Sequence, residues 1–186
     1  EIGGTVTAYG NAQLSTAWRK FGTASLLLDG SGDYFVISNN SRLDFGLDDF
    51  TIEILWKPSA TVNQGVFHFF PGTPPGTTAG LAVGHDGSSW QIYANSSAYG
   101  RGSTISAGTE YYIALVRTAG SLQFWLNGTA IGAAISNSVS YTGNQFCGGL
   151  YYSTGYTANG NIEELRITNG VARNVSVVPT AAHPNP

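Results

Sequence analysis

Apolar and polar residues alternate with a period of two along much of this 186-residue chain. In residues 50–57, Ile52, Ile54 and Trp56 fall on one face, while Thr51, Glu53 and Lys57 fall on the other. Residues 25–28 and 34–37 are short apolar runs that flank Asp29-Gly30-Ser31-Gly32-Asp33. Alternation bounded by Gly and Asp predicts half-buried antiparallel strands. The same reasoning predicts strands at 66–70, 81–85, 90–94, 111–117, 122–126, 129–134, 145–150 and 162–168. Asp86-Gly87 and Asn127-Gly128 tolerate positive φ and therefore predict hairpins joining 81–85 to 90–94 and 122–126 to 129–134. The Pro-Pro pair within 71–78 forces an irregular loop. Gly, Pro, Ser and Thr recur too often for three uninterrupted helical turns. About a dozen short strands predict an all-β chain, folded as a two-sheet antiparallel β-sandwich. Ile52, Ile54, Trp56, Tyr112, Ala114, Val116, Leu122, Phe124 and Leu126 are expected to point between the sheets.

Composition sharpens this picture. Hydrophobic residues make up 42% of the chain, with 4 Trp, 10 Tyr and 9 Phe, enough for one packed core. Only 10% of residues are charged, against about 25% in an average soluble domain, so Ser, Thr, Asn, Gln and Gly must cover the surface. One domain is expected over residues 1–178, with the Pro- and Ala-rich residues 179–186 as an extended tail or linker. The net charge of −3, two lysines and scattered arginines argue against a nucleic-acid partner. No apolar run approaches the ~20 residues that span a bilayer, so membrane insertion is not expected. The chain begins at Glu1 and contains no Met, as expected after processing, loss of a leader or excision from a longer protein. The single Cys147 excludes an internal disulfide and a Cys-based zinc site. A buried thiol at a strand end is its expected role.

Three segments carry a family resemblance. The first is 20–57, with its strand pair, its Asn/Asp/Gly loop and its alternating strand. The second is Tyr111-Tyr112-Ile113-Ala114-Leu115-Val116-Arg117, followed by Leu122-Gln123-Phe124-Trp125-Leu126-Asn127-Gly128. The third is Asn161-Ile162-Glu163-Glu164-Leu165-Arg166-Ile167-Thr168-Asn169-Gly170-Val171-Ala172-Arg173. Together they resemble laminin-G-like, concanavalin-A-like jelly-roll domains of bacterial secreted proteins and of bacteriophage tail and virion proteins. The resemblance covers residues 11–180. Gly10-Asn11-Ala12-Gln13-Leu14-Ser15-Thr16-Ala17 is similar to phage structural proteins in particular. The resemblance implies a jelly roll on an extracellular or virion surface, within an oligomer or a larger chain. Tyr112 stands where the family often has His, and Glu163 where it usually has Asp. Some relatives hold a structural Ca2+ near that position. The corresponding ligands here would be Asp29, Asp33 and Glu163, although Asp29 and Asp33 also read as turn caps. No other cofactor is implied.

Glycan hydrolysis needs a pair of carboxylates on one face, and no segment has that spacing. Glu163 and Glu164 are adjacent and so point to opposite faces of a strand. Glu53 has no carboxylate two residues away. His68, His85 and His183 lack metal-ligand spacing, Ser88 and Ser89 lack a nucleophile elbow, and the Gly pairs lack a following Lys and helix. The chain is therefore expected not to be an enzyme. Sugar recognition instead stacks a pyranose on an aromatic ring while polar groups bond its hydroxyls. His85, Asp86, Trp90, Tyr93, Tyr99 and Arg101 supply those groups, and Tyr151, Tyr152 and Tyr156 add a tyrosine loop. The expected function is non-catalytic adhesion to a cell-surface or extracellular glycan through loops at one edge. The alternative is a structural decoration or tail subunit that acts through contacts with neighbouring subunits.

Overall fold

The computed structural model describes residues 5–71, 80–102, 104–150 and 156–184. Its strands are β1 (Val6–Tyr9), β2 (Gln13–Ser15), β3 (Ser25–Asp29), β4 (Tyr34–Ile37), β5 (Phe50–Pro58), β6 (Asn63–Pro71), β7 (Leu81–Asp86), β8 (Trp90–Ala94), β9 (Ser97–Arg101), β10 (Tyr111–Thr118), β11 (Ser121–Leu126), β12 (Thr129–Ala130), β13 (Ile135–Ser136), β14 (Asn144–Gly148) and β15 (Asn159–Asn169). One short 3-10 helix, Ser41–Leu43, lies between β4 and β5. The strands form two antiparallel sheets. The first runs β1-β4-β14-β6-β7-β8-β9, and the second runs β12-β11-β10-β5-β15-β3-β2, with β13 also paired to β11. Both expected turns form, with Gly87 at φ 85°, Asn127 at 50° and Gly128 at 79°, but the strand expected over 129–134 ends at Ala130. β1, β2, β9 and β13 are short or polar and carry no clear alternation.

The core lies between the sheets. Phe67, Phe69, Val83 and Ile92 enter it from the first sheet, and Ile52, Ile54, Trp56, Leu122 and Phe124 from the second. Trp56 and Trp90 meet edge-on across the gap, with centroids 5.8 Å apart. β10 departs from expectation. Its partners on β5 are Tyr111↔Trp56, Ile113↔Ile54 and Leu115↔Ile52, so Tyr111, Ile113 and Leu115 face the main core. Tyr112, Ala114 and Val116 face outward, into a second cluster with Leu55 and Val175. Every residue of 111–116 is apolar or aromatic, so alternation within the run could not set its phase; pairing with β5 did.

The outer face of the second sheet is therefore covered. Thr51 Oγ1 donates to the Val171 carbonyl and accepts the Arg173 amide. Glu53 is 1% exposed, not solvent-facing as its alternation suggests. Arg166 binds its two carboxylate oxygens at 2.7 Å each, Tyr112 donates its hydroxyl at 2.6 Å, and Arg173 lies 3.5 Å away. Burial pushes the Glu53 carboxyl up, but Arg166 and Tyr112 outweigh it and hold it below the usual carboxylate range. Within the expected tail, the His183 amide donates to the Glu164 carboxylate, which brings that segment back to β15.

Candidate functional site

The β7–β8 hairpin builds the polar rim of the site. Asp86 Oδ1 accepts the amides of Ser88 at 2.9 Å and Ser89 at 2.7 Å, and Oδ2 accepts Gln91 Nε2 at 2.7 Å. Hydrogen bonds from the Ser89 and Ser88 amides hold the Asp86 carboxyl below its ordinary range. His85 Nδ1 accepts the Gly87 amide at 3.0 Å, and its ring stands edge-on to Trp90 at 5.6 Å.

Beside this hairpin, the β7–β9 part of the outer face of the first sheet carries small residues, while Tyr34, Val36, Phe70 and Cys147 cluster on the rest of that face. Gly65, Gly84, Gln91 and Gly100 form one row across β6–β9, and His68, Ala82, Tyr93 and Ala98 form the next. Gly and Ala have little or no side chain, so the Tyr93 ring is flanked by space, while the Gln91 amide leans on Asp86 and Ser89. A pocket of about 270 Å3 opens there, lined by Gln64, His85, Asp86, Gln91, Tyr93, Ala98 and Tyr156. Aromatic rings beside a carboxylate and the Gln91 amide can cover the apolar face of a sugar and bond its hydroxyls. A second pocket of about 490 Å3 is lined by Gly30, Val62, Asn63, Thr157 and Asn159. Asn63 and Gln64 are neighbours on β6, and Gln64 Oε1 accepts the Asn159 amide at 2.7 Å. Lining residues of the two pockets are thus neighbours along β6.

His85, Asp86, Tyr93 and Tyr156, chosen from sequence, are brought together here. Trp90 is not among them. It is fully buried, with its indole packed against Trp56, Tyr111 and Phe124, because its parity on β8 is opposite to that of Tyr93. Tyr99 and Arg101 are also excluded. They pair with Ile92 and Trp90, so they share the inward phase, and Arg101 donates to the Ala133 carbonyl on the other side of the sheet. Tyr151 and Tyr152 lie outside the described residues. Gln64, Gln91 and Ala98 were missed. The small residues at Ala82, Gly84, Ala98 and Gly100, alternating with larger ones, were the available signal.

The three proposed calcium ligands do not converge. Asp33 is buried and accepts the Asn11 amide at 2.8 Å and the Asp29 amide at 2.9 Å, while Asp29 Oδ1 accepts the Ser31 amide at 2.7 Å. Glu163 accepts the Lys20 and Phe21 amides. Asp29 pairs with Asn159, four residues from Glu163 and thus roughly 13 Å along the strand. Among the described residues no group of three or more His, Cys, Asp or Glu side chains is placed to hold a metal. Nor is any described helix long and apolar enough to cross a membrane. Cys147 is buried as expected, and burial pushes its thiol well above the ordinary range. Glu53, the interior carboxylate weighed for hydrolysis, faces away from both pockets and is held by Arg166 and Arg173.

Residues 29–177 match the profile of a family described as the concanavalin A-like lectin/glucanases superfamily. The chain belongs to this superfamily. No curated protein sequence matches the chain significantly. Among solved structures, the superfamily fold recurs in domain 4 of AbnA, a GH43 extracellular arabinanase from Geobacillus stearothermophilus, in complex with arabinotriose. That match has a TM-score of 0.68 and 17% identity, and covers 93% of this chain and 86% of the other. The binding domain of botulinum neurotoxin serotype G matches with a TM-score of 0.65 and 12% identity, covering 94% of this chain and 45% of that one. Trypanosoma rangeli sialidase matches with a TM-score of 0.64 and 15% identity, covering 89% and 28%. At these identities the likeness is one of fold.

Proposed function

We propose that this chain is a non-catalytic carbohydrate-binding domain that acts outside the cell, on a secreted protein or a virion surface. One observation carries the reading: Tyr93 and Tyr156 line a single pocket with Gln91, Asp86 and Gln64, where Gly84, Gly100 and Ala98 leave room beside the rings. The complex of the arabinanase domain with arabinotriose supports it, since that domain shares the fold over most of both chains. A glycan array followed by calorimetry tests it. Tyr93→Ala should weaken a bound glycan roughly tenfold, since loss of ring stacking is worth about 1.5 kcal/mol. Equal affinity in the two proteins, or no glycan bound by either, overturns the reading.

A second reading has its own observation. β1 and β2 are open sheet edges bearing Val6, 63% exposed, and Leu14, 77% exposed, and open edges are templates for another chain. A subunit working through such contacts would be an oligomer by light scattering, and Leu14→Lys would dissociate it.

A further inference from the structure

We infer that the two pockets are one extended site, and that its ligand is a neutral, linear oligosaccharide rather than an acidic or single-sugar one. The inference rests on the carbohydrate-binding reading above and names the class of sugar. Its first ground is proximity. Asn63 pairs with Asp86 and Gln64 with His85 across β6 and β7, which sets Asp86 of the aromatic pocket directly across from Asn63 of the neighbouring one. Thr157 follows Tyr156 in the chain and spans the same boundary on the other side, with its hydroxyl donating to the Gly30 carbonyl at 2.7 Å. A ligand seated on Tyr93 and long enough to leave that pocket would enter the other one, where the Asn63 and Asn159 amides can donate to and accept from its hydroxyls.

The second ground is charge. The chain has eight cationic side chains, and none of them lines either pocket. Arg19 donates to the Thr16 carbonyl. Lys20 pairs with Glu110 at 3.2 Å, and the Lys57 ammonium lies 5.3 Å over the Trp18 ring. Arg42 is in the 3-10 helix, where its carbonyl takes an amide from Asn169, at the end of β15 opposite Asn159. Arg101 reaches the Ala133 carbonyl, and Arg166 and Arg173 hold Glu53. Arg117 is fully buried, bonded to the carbonyls of Gly46, Asp48 and Val139. Recognition of a uronate or sialate carboxylate normally uses a guanidinium or ammonium. Here the one charged group lining either pocket, among the described residues, is the Asp86 carboxylate, which repels an anion. Residues 1–4, 72–79, 103, 151–155 and 185–186 contain no Lys or Arg.

Calorimetry with a ladder of neutral arabino-oligosaccharides and gluco-oligosaccharides, from one to five units, alongside sialyllactose and oligogalacturonides, tests both grounds. Affinity should rise from the monomer until the second pocket is filled and then level off. Asn63→Ala should cut the gain of long over short oligomers by roughly three- to tenfold, the worth of one hydrogen bond. The Asn63 side chain is exposed at a strand end, and an unchanged melting curve confirms that the variant is folded. Asn63→Lys should create measurable binding to the acidic oligomers. Neutral glycans bound equally at every length, or a ladder indifferent to Asn63→Ala, would overturn the extended site while leaving carbohydrate binding intact. Acidic glycans bound by the natural protein as tightly as neutral ones would overturn the charge preference. Binding of none of them is instead the failure of the carbohydrate reading.

Discussion

His68 lies on β6 with its ring stacked on Phe70 at 4.3 Å, almost fully buried, and its Nδ1 has no hydrogen-bond partner among the described residues. Burial lowers its pKa from 6.5 to about 4. Below pH 6.5 the unfolded chain binds a proton at this position that the folded chain refuses. Stability therefore falls as pH drops from 6.5 towards 4, by about 1.4 kcal/mol per pH unit at most. Glu53 acts in the same direction at lower pH, because its lowered carboxyl pKa gives stability that is lost as pH falls through the folded value. Chemical denaturation at pH 7 and pH 4.5 should show this loss, and His68→Phe should flatten the dependence between those values. An unaltered slope in the variant would assign it elsewhere. At this scale the sequence was legible where a turn fixes the residue, as at Asp86, whose carboxylate caps the hairpin. It was illegible for Trp90 against Tyr93, because composition offers both aromatics equally and only the facing of β8 separates core from pocket.

Strands announced themselves as short apolar or alternating runs bounded by turn residues. β4 runs over the residues its apolar run suggested, and β5, β7, β8 and β11 begin within a residue or so of expectation. β10 did not reveal its phase, since the segment around Val175 buries its second face. That segment leans on the β11–β12 turn. A Cβ at Gly128, which has φ +79°, would lie 2.5 Å from the Ser176 carbonyl oxygen. Gly128→Ala should therefore cost roughly 1–3 kcal/mol, combining backbone strain with displacement of residues 176–177. Thermal melts measure the cost directly. A neutral or stabilising result would show that the C-terminal segment gives way freely.

Seen whole, one inter-sheet core joins all the long strands, and Trp56 and Trp90 meet near its middle. Unfolding should be a single cooperative transition, with tryptophan fluorescence and far-ultraviolet circular dichroism sharing one midpoint. Separate midpoints would mean that the sheets come apart independently. The amino-acid order alone determined that this chain is a two-layered antiparallel sandwich, because alternation, turn dipeptides and low charge are local properties carried by neighbouring residues. It also marked the hairpin that bears Asp86. Only the tertiary structure decided that Gly65, Gly84 and Gly100 fall in one row beside Gln91, that Tyr156 reaches Tyr93 from across the chain, and that Arg101 turns away. The row and the facing of Gln91 and Arg101 depend on strand register between distant segments, and a shift of one residue would send those two side chains to the opposite face.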